Sequence, residues 1–248
     1  MIKQFKNYLK RVSDGFWDFF FKRIDRFPFL KYYPKGRNHI YDILIEEKRN
    51  TDFIVFDVGA NIGQSALHYN KILKNPKIYS FEPVKSTYDQ LVSNTKELSN
   101  VACFNFALGS EEKLLEITLS NESGYNSLKK EVFSKFESSR KELIQVKTRD
   151  CVAASLRIDK IDIIKIDTEG FDLEVLKGSI NLLKERKVKY IYCEVAFNGE
   201  ADKGDFYLIN KFLRTYDFWL CGFYDVSRWG ANFTHVSYYN ALFKLLKE

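Results

Sequence analysis

From residue 51 onward the chain predicts an α/β fold, a mostly parallel sheet with helices on both faces, on three observations. Short β-rich runs alternate with segments of helical period. The runs are apolar throughout rather than at every second residue, and the first of them breaks into a glycine-bearing turn that opens a helix. A strand that is apolar on both sides must be covered on both, which crossover helices provide.

The elements follow in order. "FIVFDVGA" (53–60) is the first strand, followed by a helix over 61–73. "KIYSFEP" (77–83) is the second, with a helix over 86–98, and "VACFNFALG" (101–109) is the third. The pattern resumes with "DIIKIDTEG" (162–170), a helix around 173–186, "YIYCEVAF" (190–197) and a helix around 205–216. "FWLCGFYDV" (218–226) and "YYNALFKLL" (238–246) close it. Residues 110–150 interrupt the alternation: "KLLEITLS" and "QVKTRDCV" read as strands around a polar stretch. Such an insert belongs outside the sheet, as a wall of a substrate pocket or as a plain surface loop.

Residues 1–50 form a separate basic extension. Phe5, Tyr8, Leu9, Val12, Phe16, Phe19, Phe20, Ile24 and Phe27 recur at intervals of three and four, which predicts one or two amphipathic helices over 3–25. Pro28 and Pro34 punctuate the aromatic connector that follows. This stretch carries 12 Lys/Arg and 6 Asp/Glu, so its net charge equals the +6 of all 248 residues. The remainder is neutral, which argues against a nucleic-acid surface spread over the α/β part. Phenylalanines beside lysines over residues 1–27 suit a helix packed on its own domain or on a second copy of the chain, or one lying in a lipid interface.

Asp18 and Lys22 interrupt the "FWDFFFK" run, so no stretch reaches the roughly 20 apolar residues of a membrane span. The four cysteines, Cys103, Cys151, Cys193 and Cys221, lie far apart. They read as buried, reduced thiols, and the expected location is the cytoplasm or its membrane surface. Three histidines and no Cys/His cluster give no basis for a metal site.

Ligands of open α/β sheets sit at the carboxyl ends of the strands, where "DVGANIG" falls. Asp57, Gly59, Asn61 and Gly63 make a D-x-G-x-N-x-G turn, with Ala60 inside it, and the helix beyond offers unpaired N–H groups. From Gly59 the later positions of a dinucleotide fingerprint hold Asn61 and Gln64, which counts against NAD or FAD. Glu82, followed by Pro83, ends the second strand, where a carboxylate accepts hydrogen bonds from two ribose hydroxyls or is simply an exposed acid. After the third strand, the backbone of Phe106 and Ala107 can meet an adenine ring.

With these residues in view, the chain resembles the FkbM family of S-adenosylmethionine-dependent methyltransferases. The resemblance runs over about residues 50–197 through "FDVGANIGQ", "FEP", "FALG", "SGYNSL", "RDCV", "DIIKIDTEGFDLEVLKGS" and "YIYCEV". It implies a Rossmann-like class I methyltransferase fold with a seven-stranded sheet. It also implies binding of the methyl donor at Asp57, Gly59, Asn61, Gly63 and Glu82, and O-methylation of sugars or related metabolites. The chain departs from the family in its aromatic extension and at Asn240, where relatives often carry Asp.

Methyl transfer requires an aligned acceptor oxygen, exclusion of water and a nearby base. In "KIDTEG" a period of two puts Lys165, Asp167 and, if the strand continues, Glu169 on one face at the carboxyl edge. Asp167 is the first candidate to activate or orient the acceptor, with Glu169 second; a Lys165–Asp167 ion pair that only ties strand to helix is the plain alternative. Glu194, at the end of the fifth strand, is a candidate for acceptor hydroxyls. Tyr125, Asn126 and Ser127 resemble the family's substrate-side loop and suit a sugar or glycan acceptor. Arg149 and Asp150 read as structural, with Asp150 an N-cap.

The rival readings are weaker. Nitrogen or base-carbon methylation of nucleic acid uses Pro-Pro-Tyr or Pro-Cys loops, and none of the 4 prolines here is followed by Pro or Cys. Ribose methylation stays open. An oxidoreductase needs the glycine fingerprint that is missing, although Tyr207 does precede Lys211 by four. A membrane- or partner-binding protein with a vestigial cofactor fold is the alternative from another class.

Overall fold

The computed structural model describes residues 35–47, 52–119, 140–197, 204–230, 232 and 234–246. It divides into two compact units, Met1–Asn50 and Thr51–Glu248. In the first unit the described part is a helix, α1 (His39–Glu47), whose first turn is capped by Asn38, with Oδ1 accepting from the Ile40 N–H at 2.9 Å. The helices expected over 3–25 lie outside the described residues, as do Tyr125, Asn126 and Ser127.

The second unit begins with β1 (Ile54–Val58), α2 (Gln64–Ile72), β2 (Lys77–Phe81), α3 (Lys85–Thr95) and β3 (Val101–Phe104). β4 (Ala107–Leu108) follows, so the third strand expected over 101–109 is divided between two sheets, and the insert holds β5 (Lys113–Leu119) and β6 (Arg140–Lys147). Next come α4 (Arg149–Ser155), β7 (Ile161–Ile166), α5 (Asp172–Lys177), α6 (Ile180–Lys184) and β8 (Val188–Ala196). The chain then forms β9 (Gly204–Asp205), α7 (Phe206–Arg214), β10 (Phe218–Tyr224), β11 (Arg228–Trp229), β12 (His235–Val236) and β13 (Tyr239–Leu245).

Seven strands run in the order β10-β13-β8-β7-β1-β2-β3, and the two-residue β9 pairs beside β8, so the expected seven-stranded sheet gains a short eighth strand. β3, β2, β1, β7 and β8 are parallel, while β13 runs against both of its neighbours. The strand order reverses between β1 and β7, which opens a crevice at their carboxyl ends. Val55, Phe56, Val58, Ile163, Ile164 and Ile166 are all essentially inaccessible, so both faces of the central strands are covered. This is why these strands lack alternation, and burial of each large side chain contributes roughly 1.5–3 kcal/mol.

The insert strands β5 and β6 form a separate sheet together with β4, ordered β4-β6-β5. Its inner residues Ile117, Ile144 and Val146 pack with Val84 and Ala107, while Leu114 and Leu143 on the outer side are exposed.

The single helix expected over 173–186 is instead two, α5 and α6. Gly178 sits between them against the Gly109 carbonyl, so close that a Cβ would lie 1.9 Å from that oxygen. The Asp150 carboxylate then accepts the N–H groups of Asn181 and Leu182, at 2.9 and 3.0 Å, and caps α6. Asp150 is thus a cap, but for a helix distant in sequence. Its own helix, α4, is capped by Thr148, which accepts from the Cys151 N–H at 3.3 Å. Arg149 is buried beneath α5, donating to the Val175 carbonyl at 3.4 Å. Cys193 is buried, whereas Cys151 and Cys221 are exposed, contrary to the expectation of four buried thiols. Cys151 lies in the short α4, and Cys221 falls where the β10–β13 register shifts.

Candidate active site

The glycine turn is held by the ends of its two neighbouring strands. The N–H groups of Gly59 and Ala60 both donate to the Phe81 carbonyl at the end of β2, at 3.1 and 3.0 Å. Asp167, just past β7, donates its N–H to the Val58 carbonyl at 3.0 Å. Gly59 has φ 72, and a Cβ there would lie 1.9 Å from the Asp167 carbonyl oxygen. Only glycine therefore lets the two strand ends close together at this point. Asn61 (φ 49) and Gly63 (φ 96) complete the bend into α2, whose first residue is Gln64 and not Asn61.

A cleft of about 690 Å³, including its open mouth, lies over these strand ends. Val58, Gly59 and Asn61 line it from the first turn, and Glu82, Pro83 and Val84 from the second. Ala107 and Leu108 follow the third strand, Ile117 comes from the insert, and Asp167, Thr168 and Glu169 follow β7. Among the described residues its charged lining is Glu82, Asp167 and Glu169, with neither Lys nor Arg. Glu82 is clamped: its Oε2 accepts the Asn61 N–H and its Oε1 the Val84 N–H, each at 3.0 Å. Burial pushes its carboxyl up to about 7 against the lowering effect of those two bonds. Asn105, which the sequence reading passed over, donates through Nδ2 to the carbonyls of Glu82 and Pro83, at 2.9 and 2.8 Å.

Behind the cleft wall a polar row crosses the sheet. Ser80, Asp57, Lys165 and Tyr192 are register partners on β2, β1, β7 and β8, so they share one face. Lys165 Nζ lies 3.4 Å from Asp57 Oδ1 and 3.3 Å from Asp167 Oδ2, and donates to the Gly59 carbonyl at 3.2 Å. Burial opposes its charge, but Asp167 and Asp57 together outweigh burial and raise its pKa. Burial raises the Asp57 carboxyl, and Lys165 opposes that rise. At the far end the Tyr192 hydroxyl donates to Asp225 Oδ2 at 3.0 Å.

These positions revise several expectations. Lys165 is buried, does not line the cleft and stays protonated, so it is a positioning residue and no base. Asp57 is fully buried behind the turn, and a donor bound in the cleft would meet the turn it supports. Ala60 and Gly63 shape the turn from outside the lining, and Phe106 packs on Phe81 and Phe104 while Ala107 alone of that pair faces the cleft. The strand alternation does not continue to Glu169: β7 ends at Ile166, and Glu169 (φ 49) reaches the cleft from a left-handed turn. Glu194 is buried, two residues inside the end of β8, beside the cleft and not in its lining. Among the described residues, no group of three His, Cys, Asp or Glu side chains gathers closely enough to hold a metal ion.

The sequence reading also missed Asp172, at the start of α5. It is buried, and among the described residues neither carboxylate oxygen has a hydrogen bond of ordinary geometry. Burial, and secondarily the charge of Asp167, raises it to about 7. A carboxyl whose folded pKa lies above its unfolded value of about 3.9 costs stability as pH rises through that window. Asp172→Asn is therefore expected to be more stable than the wild type at pH 8 by about 1–3 kcal/mol, and equal to it near pH 4. Urea unfolding at the two pH values checks this, and equal midpoints at pH 8 would contradict it.

A doubly wound sheet with an acidic, glycine-turned cleft at its order switch defines a class I methyltransferase-like α/β domain. The family model described as the methyltransferase FkbM domain matches residues 57–220, and the chain belongs to that family. Hexuronic acid methyltransferase AglP of Haloferax volcanii is 26% identical over 166 residues, covering 65% of this chain and 63% of that protein. Methyltransferase sdnD of Sordaria araneosa is 29% identical over 170 residues, covering 57% of this chain and 64% of that protein. The matched stretch is thus just under two thirds of either relative's length. A solved rRNA methylase from Streptococcus thermophilus superposes with a TM-score of 0.48 at 12% identity, over 86% of this chain and 100% of that chain.

Proposed function

We propose that this chain is an S-adenosylmethionine-dependent O-methyltransferase acting on a hydroxyl of a sugar, a glycan precursor or a related small metabolite. The observation that carries the reading is the cleft's charge. Among the described residues the site is lined by the acids Glu82, Asp167 and Glu169 without Lys or Arg, which suits a donor bearing a sulfonium cation and ribose hydroxyls and disfavours the pyrophosphate of a dinucleotide. Two buried acceptor atoms in the lining residues, Asn61 Oδ1 and Thr168 Oγ1, have no hydrogen-bond partner among the described residues, which fits a ligand rich in donors.

Glu82 would hold the ribose and Ala107 with Val84 the base. When bound, the donor supplies an electrophilic methyl group, and the protein's share is alignment and exclusion of water. Asp167, half-exposed at the cleft and anchored through one oxygen to Lys165, orients the acceptor hydroxyl and takes its proton. The relative named for hexuronic acid supports a sugar acceptor. The cytoplasm is the compartment we assign, since Cys103, Cys151, Cys193 and Cys221 are all free thiols.

Calorimetry of the full chain with S-adenosylmethionine and S-adenosylhomocysteine is the first test, followed by methyl transfer to a panel of sugars. Binding of both ligands, weakened roughly 100-fold or more by Glu82→Ala, is the expected result. Well-folded wild-type protein that binds neither would overturn the reading.

A further inference from the structure

The lining of the cleft changes character along the strand order. Asp167, Thr168 and Glu169 follow β7, Gly59 and Asn61 follow β1, Glu82 follows β2, and Ala107 and Leu108 come after β3. Those strands lie side by side in that sequence, so the acids Asp167 and Glu169 stand at one end of the cleft. Among the described residues the lining past Glu82 is apolar: Pro83, Val84, Ala107, Leu108 and Ile117. Of these, Ile117 alone comes from the insert, on β5. It stands opposite Glu142 on β6, which makes their side chains neighbours on one face of the small sheet. Glu142 Oε1 accepts the N–H of Lys85, the first residue of α3, at 2.8 Å. One residue earlier, Val84 donates its N–H to Glu82 and packs in the same apolar cluster as Ile117. The turn that carries Glu82 and the strand that carries Ile117 are thus fastened together. Packing alone accounts for Ile144 and Val146, which belong to that cluster without lining the cleft, whereas Ile117 does both.

We propose that Ile117 is a donor-binding residue that covers the adenine ring of the methyl donor beside Val84 and Ala107, so that the insert sheet is a wall of the donor site. The inference rests on the S-adenosylmethionine reading above and extends it to a residue outside the central sheet.

The donor's own chemistry sets its direction in the cleft. It carries a sulfonium cation and a charged amino-acid tail at one end and a flat base at the other, with the ribose between them. With the ribose on Glu82, the cation lies toward Asp167 and Glu169, and the base falls on the apolar side. The reverse placement would bury an unpaired cation among Val84, Ala107 and Ile117 and leave the base among carboxylates, at the cost of desolvating the charge. In the favourable direction, aliphatic side chains take the faces of the base out of water, and the insert supplies one of them.

The test uses the full chain in binding titrations with S-adenosylhomocysteine and with methylthioadenosine, which keeps the base and ribose but lacks the amino-acid tail. Ile117→Ala should weaken both probes by the same factor, about fivefold to twentyfold for the aliphatic contact removed. Ile144→Ala, which removes as much side chain from the same cluster but none from the cleft lining, should bind both as the wild type does. In wild-type protein labelled at its isoleucine methyl groups, the adenine ring protons of bound S-adenosylhomocysteine should show a nuclear Overhauser contact to one methyl, assigned to Ile117 by its loss in the conservative variant Ile117→Val. That contact is read without any large cut in the core. The inference is overturned if Ile117→Ala binds both probes as the wild type does or weakens only S-adenosylhomocysteine, if Ile144→Ala weakens them equally, or if no isoleucine methyl touches the base. A folded wild type that binds neither probe would refute the donor reading itself, and the inference with it.

Discussion

Lys165→Met is expected to lower the stability of the second unit by about 3–5 kcal/mol, because it removes one partner of a buried ion pair and strands the other. Asp57 is inaccessible, and among the described residues neither of its oxygens has a hydrogen bond of ordinary geometry. Its compensation is the lysine 3.4 Å away, and without that charge burial and the charge of Asp167 both push its carboxyl upward. The sign of the pH dependence follows. A carboxyl whose folded pKa exceeds its unfolded value is tolerated while protonated and costs stability once pH rises above about 3.9. The deficit of Lys165→Met is thus largest near pH 8 and shrinks toward pH 4, as measured by urea unfolding across that range. The double variant Lys165→Met, Asp57→Leu should recover most of the loss, since an apolar pair of similar volume leaves no buried charge. A deficit equal at pH 4 and pH 8, with no recovery in the double variant, would mean that packing and not charge is what the lysine supplies.

The same pair shows how far the sequence could be read. Unbroken apolar runs identified the parallel strands, because covering both faces of a sheet leaves no room for alternation, and the glycine turn located the cleft at the order switch. The polar row was present there but not distinguished. Ser80, Asp57, Lys165 and Tyr192 all stand in strand runs, in "KIYSF", "IVFDV", "IDIIKI" and "YIYCEV", but so do Lys77, Asp162 and Glu194, which lie outside the row. What the strands do not disclose separately is register, and only pairing shows that the four share one face. Local propensity likewise makes 173–186 one helix. The break at Gly178 comes from Gly109 and Asp150, more than 25 residues upstream, and no helical window contains them. β9 escaped for a related reason: two residues carry no periodicity, and their strand character exists only through β8. Asp172 stands just before the helix expected from residue 173, where a carboxylate is ordinarily favoured; its burial is a property of the tertiary structure.

Glu82 should control donor binding, with affinity for S-adenosylmethionine rising as pH increases through about 7, the value to which burial lifts its carboxyl. Below that pH the acid carries a proton and has lost part of its acceptor capacity, while above it the carboxylate holds the N–H groups of Asn61 and Val84 and still has lone pairs for ribose hydroxyls. Hydrogen bonds to a charged group are worth about 1.5–3 kcal/mol each, so Glu82→Ala should weaken the donor by roughly 100-fold or more. Glu82→Gln can accept only one of the two backbone N–H groups and should fall between, with no pH step near 7. Stability moves the other way: the folded pKa of about 7 exceeds the unfolded value of about 4.3, so the free protein loses stability as pH rises between them. Calorimetric titration of donor at pH 6 and pH 8, beside unfolding at the same two values, separates the two effects. Tighter binding at pH 8 together with lower stability of the free protein means that the carboxylate is kept ionised for the ligand at a cost to the fold. Affinity that is flat with pH would assign Glu82 to holding the turn alone.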